Sequence, residues 1–294
     1  MIGFAGSRSH PDERTIVWPL RVVFIAGCKN MATIPNTRDL TGRVALVTGA
    51  SRRRGIGAAI CRALAARGAD VAFSHWRPYD TQFSWAGGSE EPEALAASLS
   101  GLDVRVAAIS SDLSDPDAPA RLLDEVTDRL GDISILVNNA AYSTNDGFAH
   151  LDAATLDAHY AVNMRGTLLL SVEFARRFTL GDGGRIISLT SGQSLGPMPG
   201  ELAYAATKGA IEAFTRSLSP AVAPLGITVN AVNPGPTDSG WINAALREEL
   251  LPRFPAGRIG TPEDAARLVA WLASPDAAWV TGQVIHSEGG FLHA

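Results

Sequence analysis

From residue 43 onward, short apolar runs rich in β-branched residues alternate with stretches whose apolar positions recur every three to four residues. Runs of the first kind fit buried strands, and stretches of the second kind fit helices with one face against a core. The pattern predicts strands at 43–48, 70–74, 104–109, 133–138, 185–190, 227–232 and 283–286. Helices are predicted at about 55–68, 90–100, 116–130, 152–178, 203–224 and 262–273. Pro92 and Pro262 stand near two of the helix starts, where a missing N–H costs little. Strand-helix alternation of this kind builds a parallel sheet covered on both faces. No repeat, low-complexity tract or linker interrupts residues 43–294, so the expectation is a single doubly wound α/β domain.

Composition changes this picture little. A chain of 294 residues, 46% hydrophobic and 19% charged, has enough apolar material for one large core. A net charge of −5 gives no reason to expect a nucleic-acid partner. Cys28 and Cys61 have neither disulfide nor metal spacing, so they read as free thiols of a reducing, cytoplasmic compartment, and no metal is expected. Residues 1–36 differ from the rest. The apolar run at 15–27 contains Pro19 and Arg21 and is too short to span a bilayer. Ile25 to Cys28 faintly resembles a lipoprotein cleavage box, but the apolar run after Arg21 is only a few residues long. The segment is expected to be a disordered extension, or to lie upstream of a functional start at Met31.

Three clusters carry candidate chemistry. After the first strand, Gly49, Ser51, Arg52, Arg53, Arg54, Gly55, Ile56 and Gly57 form a glycine-rich turn that opens the first helix. Such a turn lets backbone approach a phosphate while the helix N-terminus presents unpaired N–H groups. At the end of the second strand stand Trp76 and Arg77, with no acid to bind a ribose 2′-hydroxyl. Guanidinium groups suit a 2′-phosphate instead, so NADP(H) is expected over NAD(H). The third cluster is Tyr204 with Lys208. Only two lysines stand against 23 arginines, and Lys208 is the only one after residue 29. Four residues apart on a helix, the ammonium and the phenol share a face, and the charge would favour the phenolate.

With these motifs in order, the sequence resembles the short-chain dehydrogenase/reductase family over about residues 41–290, in overall look nearest to 3-oxoacyl-carrier-protein reductases. The phosphate loop departs from the family's Thr-Gly-x-x-x-Gly-x-Gly pattern by two extra residues between Gly49 and Gly55. The resemblance implies a seven-stranded Rossmann-type sheet in the order 3-2-1-4-5-6-7 and a catalytic tetrad of Asn163, Ser191, Tyr204 and Lys208. Ser191 would bind the carbonyl oxygen, Tyr204 would exchange the proton, Lys208 would lower the phenol pKa and hold the nicotinamide ribose, and Asn163 would hold a water. It further implies cofactor contacts from Asp112, Leu113, Asn139, Ala140, Ala141, Pro234, Gly235 and Thr237, with Ala141 replacing the usual glycine. The substrate pocket would use Tyr142, Gln193, Leu195, Met198, Leu202, Trp241 and Ile242, an apolar set favouring a ketone or acyl chain. Family packing of the two long helices implies a homotetramer. The chemistry expected is interconversion of a ketone and a secondary alcohol. A catalytically weak NADP(H)-sensing regulator on the same fold is the alternative, and the intact tetrad counts against it.

Overall fold

The computed structural model describes residues 38–83 and 87–293, all within the compact unit Asn36–Ala294. The predicted extension at 1–36, with Met31 and Cys28, lies outside the described residues. Seven strands form one parallel sheet: β1 (Val44–Val47), β2 (Asp70–His75), β3 (Val106–Ser110), β4 (Ile133–Asn138), β5 (Gly184–Leu189), β6 (Ile227–Asn233) and β7 (Val284–His286). Their order is β3-β2-β1-β4-β5-β6-β7, as the resemblance implied.

Alternation along the strands divides the core. Ala45 and Val47 of β1 point to one face, where they meet α1 (Ile56–Ala66), α3 (Glu91–Ser100) and α10 (Pro262–Leu272). Val44 and Leu46 point to the other, against α4 (Ala118–Leu130) and α7 (Thr167–Arg177). Between the chain's two halves, β1 lies beside β4, so the strand order reverses there and a crevice opens at the carboxyl ends of the strands. Cys61 lies fully buried on α1, and burial pushes its thiol pKa up, which makes it an inert core residue.

Three short helices were not predicted: α2 (Arg77–Asp80), α5 (Gly147–His150) and α9 (Ala244–Leu250). None is long enough to show a period. The predicted helix at 152–178 is a composite, with α6 (Ala153–His159) running into a widened π-type turn at Tyr160–Gly166 before α7. Turns of this kind are rare and concentrate at functional positions; this one carries Asn163. The last long helix, α8 (Leu202–Val222), tolerates Pro220 close to its end.

The extra length of the phosphate loop is taken up as a tight turn, closed by Gly55 N–H donating to the Arg52 carbonyl at 2.9 Å. Gly49 starts the turn at φ +72°, and a Cβ there would lie 2.5 Å from Ala140 Cα. Gly49→Ala is therefore expected to cost on the order of 1–3 kcal/mol in backbone strain alone, and to weaken nucleotide binding as the loop moves off the end of β4. Urea unfolding and a cofactor titration check this; an unchanged midpoint with unchanged affinity would contradict it.

Candidate active site

The crevice at the strand ends encloses about 430 Å³, within the range of small-molecule sites. Gly49, Ser51, Arg52, Gly55, Ile56 and Gly57 line it from the phosphate loop, and Trp76, Asp112, Leu113 and Asn139 to Tyr142 line it from the other strand ends. No side chain caps the N-terminus of α1, so its first N–H groups are available to an anion. Asn139 keeps the loop in place: its Nδ2 donates to the carbonyls of Thr48 and Gly49, each at 2.9 Å. These features fit the pyrophosphate of a dinucleotide.

The three arginines part company. Arg53 turns outward to Glu91, bonding it with Nε at 3.1 Å and Nη2 at 2.9 Å. Arg54 is exposed and does not line the crevice. Arg52 lines the crevice and reaches across it, donating to the Ser239 carbonyl at 2.9 Å. Absence of an acid at the end of β2 is also only half the story. Asp80, on α2, brings a buried carboxylate to 3.9 Å from Arg52 and 3.7 Å from Arg77. Burial raises its pKa, opposed by a hydrogen bond from Ser51 and by both guanidinium charges. Sequence reading missed Asp80 and its neighbour Tyr79 because a single-turn helix leaves no pattern. Tyr79 packs its ring 5.3 Å from that of Tyr142.

Three of the four expected tetrad positions, Ser191, Tyr204 and Lys208, come together beyond the end of β5. Ser191 comes two residues after the end of that strand, close enough to Tyr204 for its hydroxyl to oppose the rise of the phenol pKa. Lys208 is 2% exposed, and its Nζ donates to the Leu189 carbonyl at 2.7 Å and lies 5.4 Å from the centre of the Tyr204 ring. Burial lowers the Lys208 pKa to about 8. Burial likewise pushes the Tyr204 phenol above its ordinary value; the nearby Glu201 charge adds to this, and the Ser191 hydrogen bond opposes it. Burial sets the direction of the phenol shift, and the Lys208 ammonium, 5.4 Å from the ring centre, does not reverse it.

Asn163 is engaged with protein through both its amide and its carbonyl. Its Nδ2 donates to the Tyr142 carbonyl at 2.8 Å and to Thr207 Oγ1 at 3.1 Å, while its Oδ1 accepts from Tyr142 N–H at 2.6 Å. Both amide hydrogens and one lone pair are thus spent on joining the β4 loop to α8, which leaves a single lone pair for a solvent molecule. Two of the expected pocket residues face protein instead. Gln193 turns inward, donating to Glu212 Oε1 at 2.6 Å, and Ile242 is buried in a cluster with Leu250, Phe254, Ile259 and Phe291. Met198 stands 3.9 Å from the Ser191 hydroxyl through its sulfur. Leu195 and Trp241 are more than one-third exposed, and the Trp241 indole donates to the Thr237 carbonyl at 2.8 Å. Leu202, half-buried, starts α8 where Asp146 Oδ1 accepts its N–H at 2.7 Å. Pro234, Gly235 and Thr237 follow β6, with Thr237 Oγ1 donating back to the Pro234 and Gly235 carbonyls.

Glu212 is a further residue that the sequence did not reveal. Its buried carboxylate accepts from Thr190 and Ser194 as well as Gln193, holding the loop that begins with Ser191. Among the described residues no cluster could hold a metal ion, and no helix is long and apolar enough to cross a membrane.

Known proteins resemble this chain along most of its length. Residues 49–292 match the profile of a family described as enoyl-(acyl carrier protein) reductase. An uncharacterized oxidoreductase of Bacillus subtilis, YjdA, is 56% identical over 85% of this chain and 97% of its own length. The 3-oxoacyl-[acyl-carrier-protein] reductase FabG of Vibrio cholerae is 35% identical over 86% of this chain and 98% of its own. A crystal structure of a short-chain dehydrogenase from Burkholderia cenocepacia in complex with NADP superposes with a TM-score of 0.77 at 36% identity, covering 86% of this chain and 98% of that one. Similarity this extensive, in a sheet of this order, leads to one conclusion: the chain belongs to the short-chain dehydrogenase/reductase family.

Proposed function

We propose that the protein is an NADP(H)-dependent oxidoreductase interconverting a ketone and a secondary alcohol, with Tyr204 exchanging the proton. The observation that carries this reading is the meeting of Ser191, Tyr204 and Lys208 at the end of β5, beside a crevice of nucleotide size. When bound, the nicotinamide cofactor supplies or accepts the hydride. The chain's own residues manage charge and protons. Ser191 stands where it can donate to a substrate oxygen as negative charge develops, and Tyr204 gives that oxygen its proton. Lys208, fixed on the Leu189 carbonyl, holds a positive charge beneath the phenol ring. In the chain alone burial keeps the phenol protonated, the form that gives a proton in reduction; in the oxidative direction the positive charge of an oxidised cofactor would favour the phenolate.

Preference for NADP(H) is supported by Arg52 inside the crevice and by an Asp80 already engaged with two guanidinium groups, which leaves a net positive charge there. The similar Burkholderia cenocepacia protein, crystallised with NADP, supports it too. For the substrate, Met198 beside the Ser191 hydroxyl and the exposed Leu195 of the same loop offer an apolar surface, which favours an uncharged ketone; a 3-oxoacyl thioester is the acyl-chain member of that class. A homotetramer formed through α7 and α8 is part of the same reading, with Leu169 of α7 more than one-third exposed on the lone chain.

The direct test is oxidation of NADPH and of NADH against a panel of ketones and a 3-oxoacyl thioester. Turnover of at least one ketone with NADPH preferred is expected; tight NADPH binding without any turnover would instead favour a sensor. Arg52→Ala is expected to weaken NADPH binding by about tenfold or more, the worth of a charge-assisted contact to phosphate, while changing NADH binding little. Equal weakening of both would remove the 2′-phosphate assignment.

Lys208 generates a paired prediction. Lys208→Arg should lose most turnover, because a planar fork cannot place its charge where the ammonium sits, and Lys208→Met nearly all. The same Lys208→Met variant should be more stable than the wild type. A pKa depressed from 10.5 to about 8 corresponds to a burial cost of about 3 kcal/mol. That cost is full below pH 8, where both folded and unfolded chains carry the charge, and it fades as pH rises toward 10.5 and the unfolded chain also loses its proton. The stability gain of Lys208→Met should shrink over that interval; a gain independent of pH would contradict the account.

A further inference from the structure

The residues after β7 touch both loops of the reaction centre. Phe291 is buried in the cluster of Ile242, Leu250, Phe254 and Ile259, with its ring 4.9 Å from that of Phe254. The Arg253 guanidinium lies 4.4 Å above the Phe291 ring, and Arg253 and Leu292 exchange two hydrogen bonds, at 2.8 and 2.9 Å. The tail is thereby fastened to the segment around α9 that follows Trp241. Beyond Phe291, the His293 imidazole stands edge-on to that ring at 5.0 Å and brings Nε2 to 3.1 Å from Glu288 Oε2. Glu288 in turn accepts from Asn233 Nδ2 at 2.8 Å, and Asn233 Oδ1 accepts from Gly235 N–H at 2.9 Å. A Cβ on Gly235 would lie 2.5 Å from Glu288 Cβ, so Glu288 is seated directly against the segment after β6.

On its other side, His293 fills the space of two missing side chains in the serine loop. A Cβ on Gly192 would lie 2.7 Å from His293 Cε1, and one on Gly196 would lie 2.9 Å from His293 Cβ. The loop is closed on itself by Leu195 and Gly196 N–H groups donating to the Gly192 carbonyl at 2.9 and 3.2 Å. Glu212 grips it from within through Gln193 and Ser194. His293 meets it from without, and its side chain is only 17% exposed.

We propose that the C-terminal tail is a working part of the reaction centre: His293 braces the loop of Ser191 against Glu288, and Phe291 couples that brace to the segment over the substrate pocket. His293 is in this account a positioning residue acting through Gly192 and Gly196, not a group that touches the substrate. A hydroxyl that must meet a reacting oxygen tolerates little displacement, and a misplacement of about 1 Å can cost on the order of a hundredfold in rate. Movement of the α9 segment over a substrate would then be transmitted to Ser191 through the tail. The inference rests on the proposed role of Ser191, so its test needs a readout independent of turnover.

Full-length His293→Ala and His293→Gln serve this purpose, since glutamine retains a donor for Glu288. Hydrogen exchange of the 191–196 amides is expected to rise about threefold or more in His293→Ala and to return toward the wild-type value in His293→Gln. With a ketone that turns over, kcat should fall about tenfold in His293→Ala and recover largely in His293→Gln, with NADPH affinity unchanged in both. Unchanged exchange in His293→Ala overturns the brace, whatever happens to the rate. A rate lost equally in both variants also overturns it. If the wild-type protein turned over no ketone, the proposed function would fall while the exchange measurement still decided the brace.

Discussion

Lys208 carries an ammonium away from water, and the reaction centre is arranged around that cost. Burying a charge without a partner is prohibitive, yet no carboxylate pairs with Lys208 among the described residues. The charge is tolerated because the Leu189 carbonyl accepts from it and the face of Tyr204 lies within reach. Both partners demand that the end of β5 and the face of α8 stay in register. Thr190 helps by donating to the Lys208 carbonyl at 3.3 Å, and Asp146 fixes the start of α8 by accepting from Leu202 and Ala203 N–H at 2.7 and 2.8 Å. Removing the ammonium would relieve its burial cost while taking the charge away from the face of Tyr204.

The same low-polarity setting favours the neutral form of both groups. Burial holds the phenol proton on Tyr204 and weakens the hold of Lys208 on its own. On the proposed function, the positive charge of an oxidised nicotinamide would favour the phenolate, so nucleotide binding in the adjoining crevice and proton exchange at Tyr204 would be linked through electrostatics. That linkage needs no moving part. Positioning does involve the loops: Glu212 from within and His293 from without both bear on the short segment after Ser191, and Asn163 ties the loop after β4 to α8.

Periodicity alone foretold the seven strands and the long helices, because strands buried on both faces and amphipathic helices leave repeating marks. Family motifs supplied the sheet order and the tetrad positions. What stayed hidden were side-chain directions and long-range partners. Gln193 sits in a loop where no period says which way it points, and its partner Glu212 is on another element. Asp80 belongs to a helix of one turn, so the acid it brings to Arg52 could not be anticipated from an empty position at the end of β2. Asn163 occupies a widened turn whose geometry depends on tertiary contacts. His293 meets Gly192 from about a hundred residues away, and only the missing side chain at each glycine hints at it.

The most direct measurement is an ultraviolet titration of the Tyr204 phenol, taken as the difference between the wild-type protein and Tyr204→Phe, with and without oxidised cofactor. The account predicts no phenolate signal from Tyr204 below about pH 10 in the free protein, and a marked fall of its titration into the neutral range once NADP⁺ is bound. A phenol that already titrates near neutrality in the free protein, or one that cofactor leaves unmoved, would contradict it.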